Sequence, residues 1–439
     1  MMKKILLALF ILSIATTTFA QSETRFQKID SLLSYFTAND KFMGSVAIRE
    51  KDDIAFAKAY GYANLETDTK ADINTKYKIG SITKMFTSAI IFQLIEKKKL
   101  TLDTKLSKYY PQIKNADSIT IKNLLNHTSG IYNYTANDDF MSYVATPQTR
   151  KAMLERIASF EPVFTPGSKA SYSNSNYLLL GYILEDITKK RYKDVVNERI
   201  VKKLKLKNTY YFGKIKPKRN EAYSYSFDGN EWKKRDEWHE SVAYAAGALQ
   251  STPTDLTKFI RALFEGDIIK EESLEEMKKM DFGYGKGIFI IPFSERKFYG
   301  HNGGIEGFIS ILAYYPKEGL GIAMTINGEG YDSNQILIGI LSSYYKVPYR
   351  FPNLKSAKVD LEILKSYEGT YASSTIPLKI TIKHDGKQLM AQATGQGAFP
   401  LNPLSDTEFN FDPAGITITF RKDGFIIEQG STVNDFTRE

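Results

Sequence analysis

Apolar residues recur at helical spacing over residues 24–36 (Phe26, Ile29, Leu32, Leu33, Phe36), which predicts an opening helix. Hydrophobic runs of strand length follow at 44–48 and 54–60, joined by the charged turn Lys51-Asp52-Asp53. Residues 81–96 are helical in length and apolar on nearly every side, the pattern of a helix buried in the middle of a domain. From about 100 to 280 the pattern is largely helical, with helices predicted over 149–157, 177–187 and 254–264. The last is opened by Ser251-Thr252-Pro253, a capping residue followed by proline at the first turn. Strand-like segments return at 287–291, 307–315 and 321–326, and a further helix is predicted over 333–345. Strands at both ends with helices between them predict an α+β arrangement, a sheet domain that hosts a helical lobe.

The pattern changes at both ends of this region. Residues 347–360 carry Pro348, Pro352 and several polar residues, and read as a linker. Beyond it, strand-like runs at 377–383 and 388–393 flank Asp385-Gly386, and runs at 416–420 and 425–428 flank Asp423-Gly424. Two such turns predict antiparallel hairpins, so 361–439 reads as a small all-β domain. At the start, Lys3 and Lys4 precede an apolar run from Ile5 to Ile14, and small residues lead to Ala20. That order predicts a secretory signal over 1–20, with 21–346 as the main domain. The apolar run is shorter than the roughly 20 residues of a membrane span, so no transmembrane segment is expected after its removal.

Composition narrows the chemistry. The 439 residues include no cysteine, which excludes disulfides, thiolate-bound zinc and a cysteine nucleophile. The histidines, at 127, 239, 301 and 384, have no metal-ligand spacing, so neither a metal nor a cofactor is expected. The net charge is +9, but lysines and glutamates are interspersed, as over 271–279. The excess reads as a solvated surface, with no nucleic-acid partner expected and contact with an anionic cell envelope left open.

Ser-x-x-Lys occurs three times, as Ser81/Lys84, Ser294/Lys297 and Ser343/Lys346. Only Ser81 heads a long apolar helix. Residues at i and i+3 share a helix face, so Lys84 can reach the Ser81 oxygen. The helix N-terminus favours negative charge there and offers N–H groups to a reacting carbonyl. A desolvated lysine loses proton affinity and can act as a base. On this motif alone, a capping Ser81 with a snorkelling Lys84 explains the pattern about as well. Tyr-x-Asn, which would add a second proton carrier and a carboxamide for the substrate, occurs as Tyr62-Ala63-Asn64 and Tyr172-Ser173-Asn174. Gly300-His301-Asn302-Gly303-Gly304 reads as a strand edge where glycines let a substrate approach the backbone. A second His-x-Gly, His384-Asp385-Gly386, falls at a hairpin turn and reads as structural.

Ser81-x-x-Lys84, Tyr172-Ser173-Asn174 and His301-Asn302-Gly303, in that order, resemble the serine β-lactamase and penicillin-binding protein family, in its class C-like branch. The stretches 124–130, 246–252 and 299–304 resemble that branch too, and the likeness covers roughly residues 25–345. It implies that family's α+β fold, an antiparallel sheet domain with a helical lobe. It also implies that Ser81 is acylated, that Lys84 and Tyr172 share proton transfer, and that Asn174 binds the substrate amide. His301, Asn302 and Gly303 would bind substrate, and the backbone N–H groups of Ser81 and Gly304 would form an oxyanion hole. His127 is assigned to loop architecture. The third motif departs from the Lys-Thr-Gly commonest in β-lactamases and is similar to that of some D,D-peptidases and D-aminopeptidases. A histidine only partly charged near neutral pH holds a carboxylate less firmly than lysine does. The implied function is a periplasmic or secreted serine hydrolase for small amides or esters, such as D-amino-acid peptides or esters, including cell-wall fragments. Two other readings stay open: a class C-like β-lactamase, and a catalytically silent envelope-binding or sensor protein of the same fold. The oligomeric state is left open.

Overall fold

The structure is a computed structural model that describes residues 25–228, 231–349, 351–354, 357–386, 388–411, 414–429 and 432–439. The expected signal at 1–20 lies outside the described residues. The chain divides between Lys346 and Val347 into two compact units.

The first unit opens with helix α1 (residues 25–38). The main path of its eight-stranded sheet is built from β1 (Phe42–Glu50), β2 (Asp53–Tyr60), β3 (Phe289–Phe293), β4 (Arg296–Ile305), β5 (Phe308–Tyr315) and β6 (Leu320–Glu329), among the described residues. These strands are antiparallel in the order β3-β4-β5-β6-β1-β2. Strand β1 is paired on both edges and buried from Phe42 to Arg49, which is why it reads as a nearly continuous apolar run. Its pairing with β6 brings the two ends of the unit together around the intervening helices.

Helix α2 (Thr83–Glu96) lies inside that helical region, and every residue from Thr83 to Phe92 is buried. Burial on all sides explains why its apolar pattern has no polar face. Its two internal hydroxyls are satisfied: Thr87 Oγ1 donates to Ala245 O at 2.7 Å, and Ser88 Oγ to Lys286 O at 2.6 Å. The Phe86 and Phe259 rings stack at 3.7 Å, tying α2 to α5 (Pro253–Phe264). Between them in the chain come α3 (Asn174–Thr188) and α4 (Glu240–Gly247). The expected α+β class therefore holds. Some expected boundaries move: the strand expected at 287–291 is Phe289–Phe293, and Gly300 to Gly304, read as a strand edge, lie within β4.

In the second unit a helix, Leu361–Ser366, precedes a closed barrel of eight strands among the described residues, running from Gly369–Ala372 to Thr432–Arg438. Both expected hairpins are part of it. Ile382, Leu389, Leu401, Phe409, Ile418 and Phe425 fill its interior with no exposed surface, so the barrel is a packed core. The described residues of 347–360 carry neither helix nor strand.

Candidate active site

The chain enters α2 through a 3₁₀ turn, Gly80–Ile82, which leaves Ser81 partly exposed at the head of the buried helix. One turn on, Lys84 is fully buried. Its Nζ lies 2.8 Å from each of three acceptors: Ser81 Oγ, Asn174 Oδ1 and Ala246 O. Burial drives the pKa of Lys84 well below the ordinary lysine value. A neutral amine here can donate its two N–H groups to Asn174 and Ala246 and turn its lone pair to the Ser81 hydroxyl. Tyr244, inside α4, has φ 40° and ψ −130°, a conformation that L residues rarely adopt.

Tyr172 and Asn174 arrive at the start of α3. Ser173 N donates to His127 Nδ1 at 3.1 Å, Ser171 N donates to His127 O at 3.0 Å, and the His127 ring lies 4.4 Å from that of Tyr172. His127 thus fixes the tyrosine from both backbone and ring, a contact that its reading as loop architecture did not include. Burial pushes the Tyr172 phenol far above its ordinary pKa, and a hydrogen bond with the Ser81 side chain pulls it part of the way back. Asn174 is held at three points. Its N–H donates to Asn133 Oδ1 at 3.0 Å, its Nδ2 to Thr135 Oγ1 at 3.0 Å, and its Oδ1 accepts from Lys84.

Strand β4 closes the site. A Cβ on Gly303 would lie 2.1 Å from Ile79 O and 2.9 Å from Ser81 N, so only glycine lets this strand press on the Ser81 turn. A Cβ on Gly304 would meet nothing within 4 Å, so that residue faces open space. The space is a cavity of about 610 Å³ lined by Ser81, Tyr172, Asn302, Gly303 and Gly304, together with Gly283, Tyr284, Phe289 and Ile290.

The Beta-lactamase family profile matches residues 32–339. The chain belongs to the beta-lactamase family. The teichoic acid D-alanine hydrolase of Staphylococcus aureus (strain NCTC 8325 / PS 47) is 30% identical over 314 residues, covering 70% of this chain and 75% of that protein. A D-stereospecific amidohydrolase from Streptomyces sp. is 27% identical with a TM-score of 0.63, covering 73% of this chain and 99% of that one. An octameric penicillin-binding protein homologue from Pyrococcus abyssi is 27% identical with a TM-score of 0.68, covering 94% of this chain and 98% of that one. This beta-lactamase-family chain is accordingly a serine hydrolase.

Within this family hydrolase, the His-x-Gly strand differs from what the sequence led us to expect. His301 does not line the cavity; it is buried behind the wall, its ring 4.3 Å from that of Phe289. Burial above all brings its pKa down to about 3. It is therefore neutral at physiological pH, where a partly charged group was expected. Its Nδ1 is bonded to the Asn302 carbonyl, and its Nε2 has no hydrogen-bond partner among the described residues. Among the described residues that line the cavity there is no lysine or arginine.

Sequence reasoning also missed the staple behind the site. Lys78 Nζ donates to both oxygens of Glu306, at 2.7 and 2.8 Å, across 228 positions of sequence. Both side chains are 1% exposed. Lys78 stands just before Ser81, and Glu306 just after Gly304, so the pair joins the two segments that line the cavity. No local pattern signals it. The other motif copies go elsewhere. Asn64 Oδ1 accepts from Glu66 N in a turn, Ser294 lies between β3 and β4, Ser343 lies on the helix Ser333–Tyr345, and His384 belongs to the barrel.

Proposed function

We propose that this chain is an exported serine hydrolase that cleaves D-aminoacyl esters or amides lacking a carboxylate, through an acyl-enzyme on Ser81. What supports the reading most is the Lys84 amine, dry and 2.8 Å from Ser81 Oγ. Lys84 takes the Ser81 proton as Oγ bonds to the substrate carbonyl carbon. The Ser81 and Gly304 N–H groups receive the oxyanion, a contribution of roughly 3 kcal/mol per donor. As the tetrahedral intermediate collapses, the bond to the leaving alcohol or amine breaks and that group takes a proton from Tyr172. The phenolate is reprotonated from the Lys84 ammonium. Water then attacks the acyl carbon, giving its proton to the same base, and the acid departs as Ser81 regains its hydrogen. Asn174 orients the acyl group through the Nδ2 N–H that Thr135 leaves unused.

The names of the relatives favour D-configured acyl groups, and a cavity wall without a cation favours substrates that carry no carboxylate at that point. Such substrates include D-alanyl esters of envelope polymers. Export rests on the leader pattern at 1–20. The test is hydrolysis of D- and L-alanine methyl esters and amides beside nitrocefin. The D-ester is expected to be turned over fastest, and nitrocefin at least about a hundredfold more slowly. Nitrocefin turnover with kcat/KM equal to that for the ester would refute the preference for substrates without a carboxylate and favour the class C-like β-lactamase.

A further inference from the structure

Phe282 breaks two local rules at once. It and Gly283 have φ of +51° and +85°, while Asp281 N donates to Tyr284 O at 2.9 Å and Tyr284 N to Asp281 O at 3.0 Å. These are the features of a two-residue type I′ turn, whose central positions ordinarily take Asn, Asp or Gly. A bulky residue in the left-handed region is strained. Phe282 is also 62% exposed, so the strain is not repaid by burial. Strain of this kind persists where the surrounding structure over-determines it, and it clusters at active sites and ligand clamps.

The place of the turn indicates which function. The next two residues, Gly283 and Tyr284, line the active-site cavity, as do Phe289 and Ile290, and Ile290 is itself exposed. The rings of Tyr284 and Phe289 meet edge to face at 5.5 Å, and lie 6.5 and 6.4 Å from the ring of Tyr172. Under the function proposed above, Tyr172 gives its proton to the leaving group. The leaving group therefore sits on this side of Ser81.

We infer that Phe282, with Tyr284, Phe289 and Ile290, forms an apolar lip that receives the leaving group, and that the enzyme prefers esters or amides whose departing alcohol or amine carries an aryl or alkyl portion. The inference rests on the role given to Tyr172. Contact with such a group would remove the Phe282 ring from water only in the complex, which accounts for its exposure in the free protein.

The test compares D-alanine benzyl and methyl esters, which share an acyl group, on wild type, Phe282→Asn and Phe282→Leu. Asn suits the turn, so Phe282→Asn is expected to melt at the same temperature as wild type or higher. Its benzyl-to-methyl ratio of kcat/KM is expected to fall about fivefold, while Phe282→Leu keeps most of the ratio. The ratio between D-phenylalanine and D-alanine methyl esters, which reports the acyl side, is expected not to follow. An unchanged benzyl-to-methyl ratio, a shift in the acyl ratio instead, or a lower melting temperature or altered sedimentation of Phe282→Asn overturns the lip. If wild type hydrolyses neither ester, the proposed function fails separately. Benzyl alcohol titrated by NMR then tests the lip alone: about fivefold weaker binding to Phe282→Asn supports it, and equal binding overturns it.

Discussion

Replacing Lys78 with Met removes the ammonium from a pair in which both side chains are 1% exposed. Glu306 keeps one close donor, Trp238 N at 2.6 Å, and has no route to solvent. Breaking a buried pair from one side costs about 3–5 kcal/mol. The carboxylate can limit the loss by taking a proton. From an unfolded pKa of about 4.3, that costs about 3.7 kcal/mol at pH 7 and only about 1 kcal/mol at pH 5. Burial already raises the Glu306 pKa in the native protein, against the pull of Lys78, so protonation is the route the variant will follow. The sign follows from linkage. A carboxyl whose folded pKa lies above its unfolded value loses stability as pH rises between the two, so the deficit must grow with pH. Both tryptophans, Trp232 and Trp238, lie in the first unit, and their fluorescence during urea unfolding reports that unit alone. Lys78→Met is expected to lose roughly 3–4 kcal/mol at pH 7 and about 1 kcal/mol at pH 5. A loss below about 1 kcal/mol at pH 7, or one independent of pH, would refute the assignment of this pair as a buried staple.

Two further predictions concern the site. Gly303→Ala places a methyl 2.1 Å from Ile79 O, so it is expected to lower stability by a few kcal/mol and activity about a hundredfold, as measured by unfolding and ester hydrolysis. Gly304→Ala meets nothing within 4 Å, so it is expected to fold as wild type does, with any loss confined to kcat/KM. In a pH–rate profile of ester hydrolysis, kcat/KM is expected to rise with pH as Lys84 loses its proton and to level off well below the ordinary lysine pKa. Tyr172, whose pKa burial raises, stays protonated over that plateau. A rising limb centred near 10.5 would contradict a desolvated base.

Much of this was legible along the chain because periodicity and turn chemistry are local. The buried α2, the strands around Lys51-Asp52-Asp53 and the hairpins at Asp385-Gly386 and Asp423-Gly424 all read directly. Ser81, Tyr172, Asn302 and Gly303, from all three motifs, line one cavity, whereas Lys84, Asn174 and His301 are not among its lining residues. What escaped the sequence depends on distant or contrary information. The Lys78–Glu306 contact spans 228 positions, and barrel closure needs Gly369–Ala372 to pair with Thr432–Arg438. Phe282 occupies a turn position that its residue type disfavours, so propensity points away from the conformation found. His127 looked architectural because its contact with Tyr172 forms only in three dimensions.

The central claim, that Ser81 is the nucleophile and is activated by Lys84, is tested most directly by mass spectrometry after incubation with a fluorophosphonate. The account predicts one added phosphonyl group on the wild-type protein, located by peptide mapping at Ser81. It predicts no adduct on Ser81→Ala and labelling slowed at least about a hundredfold on Lys84→Met. Equal labelling of wild type and Ser81→Ala, or an adduct mapped to another residue, would contradict it.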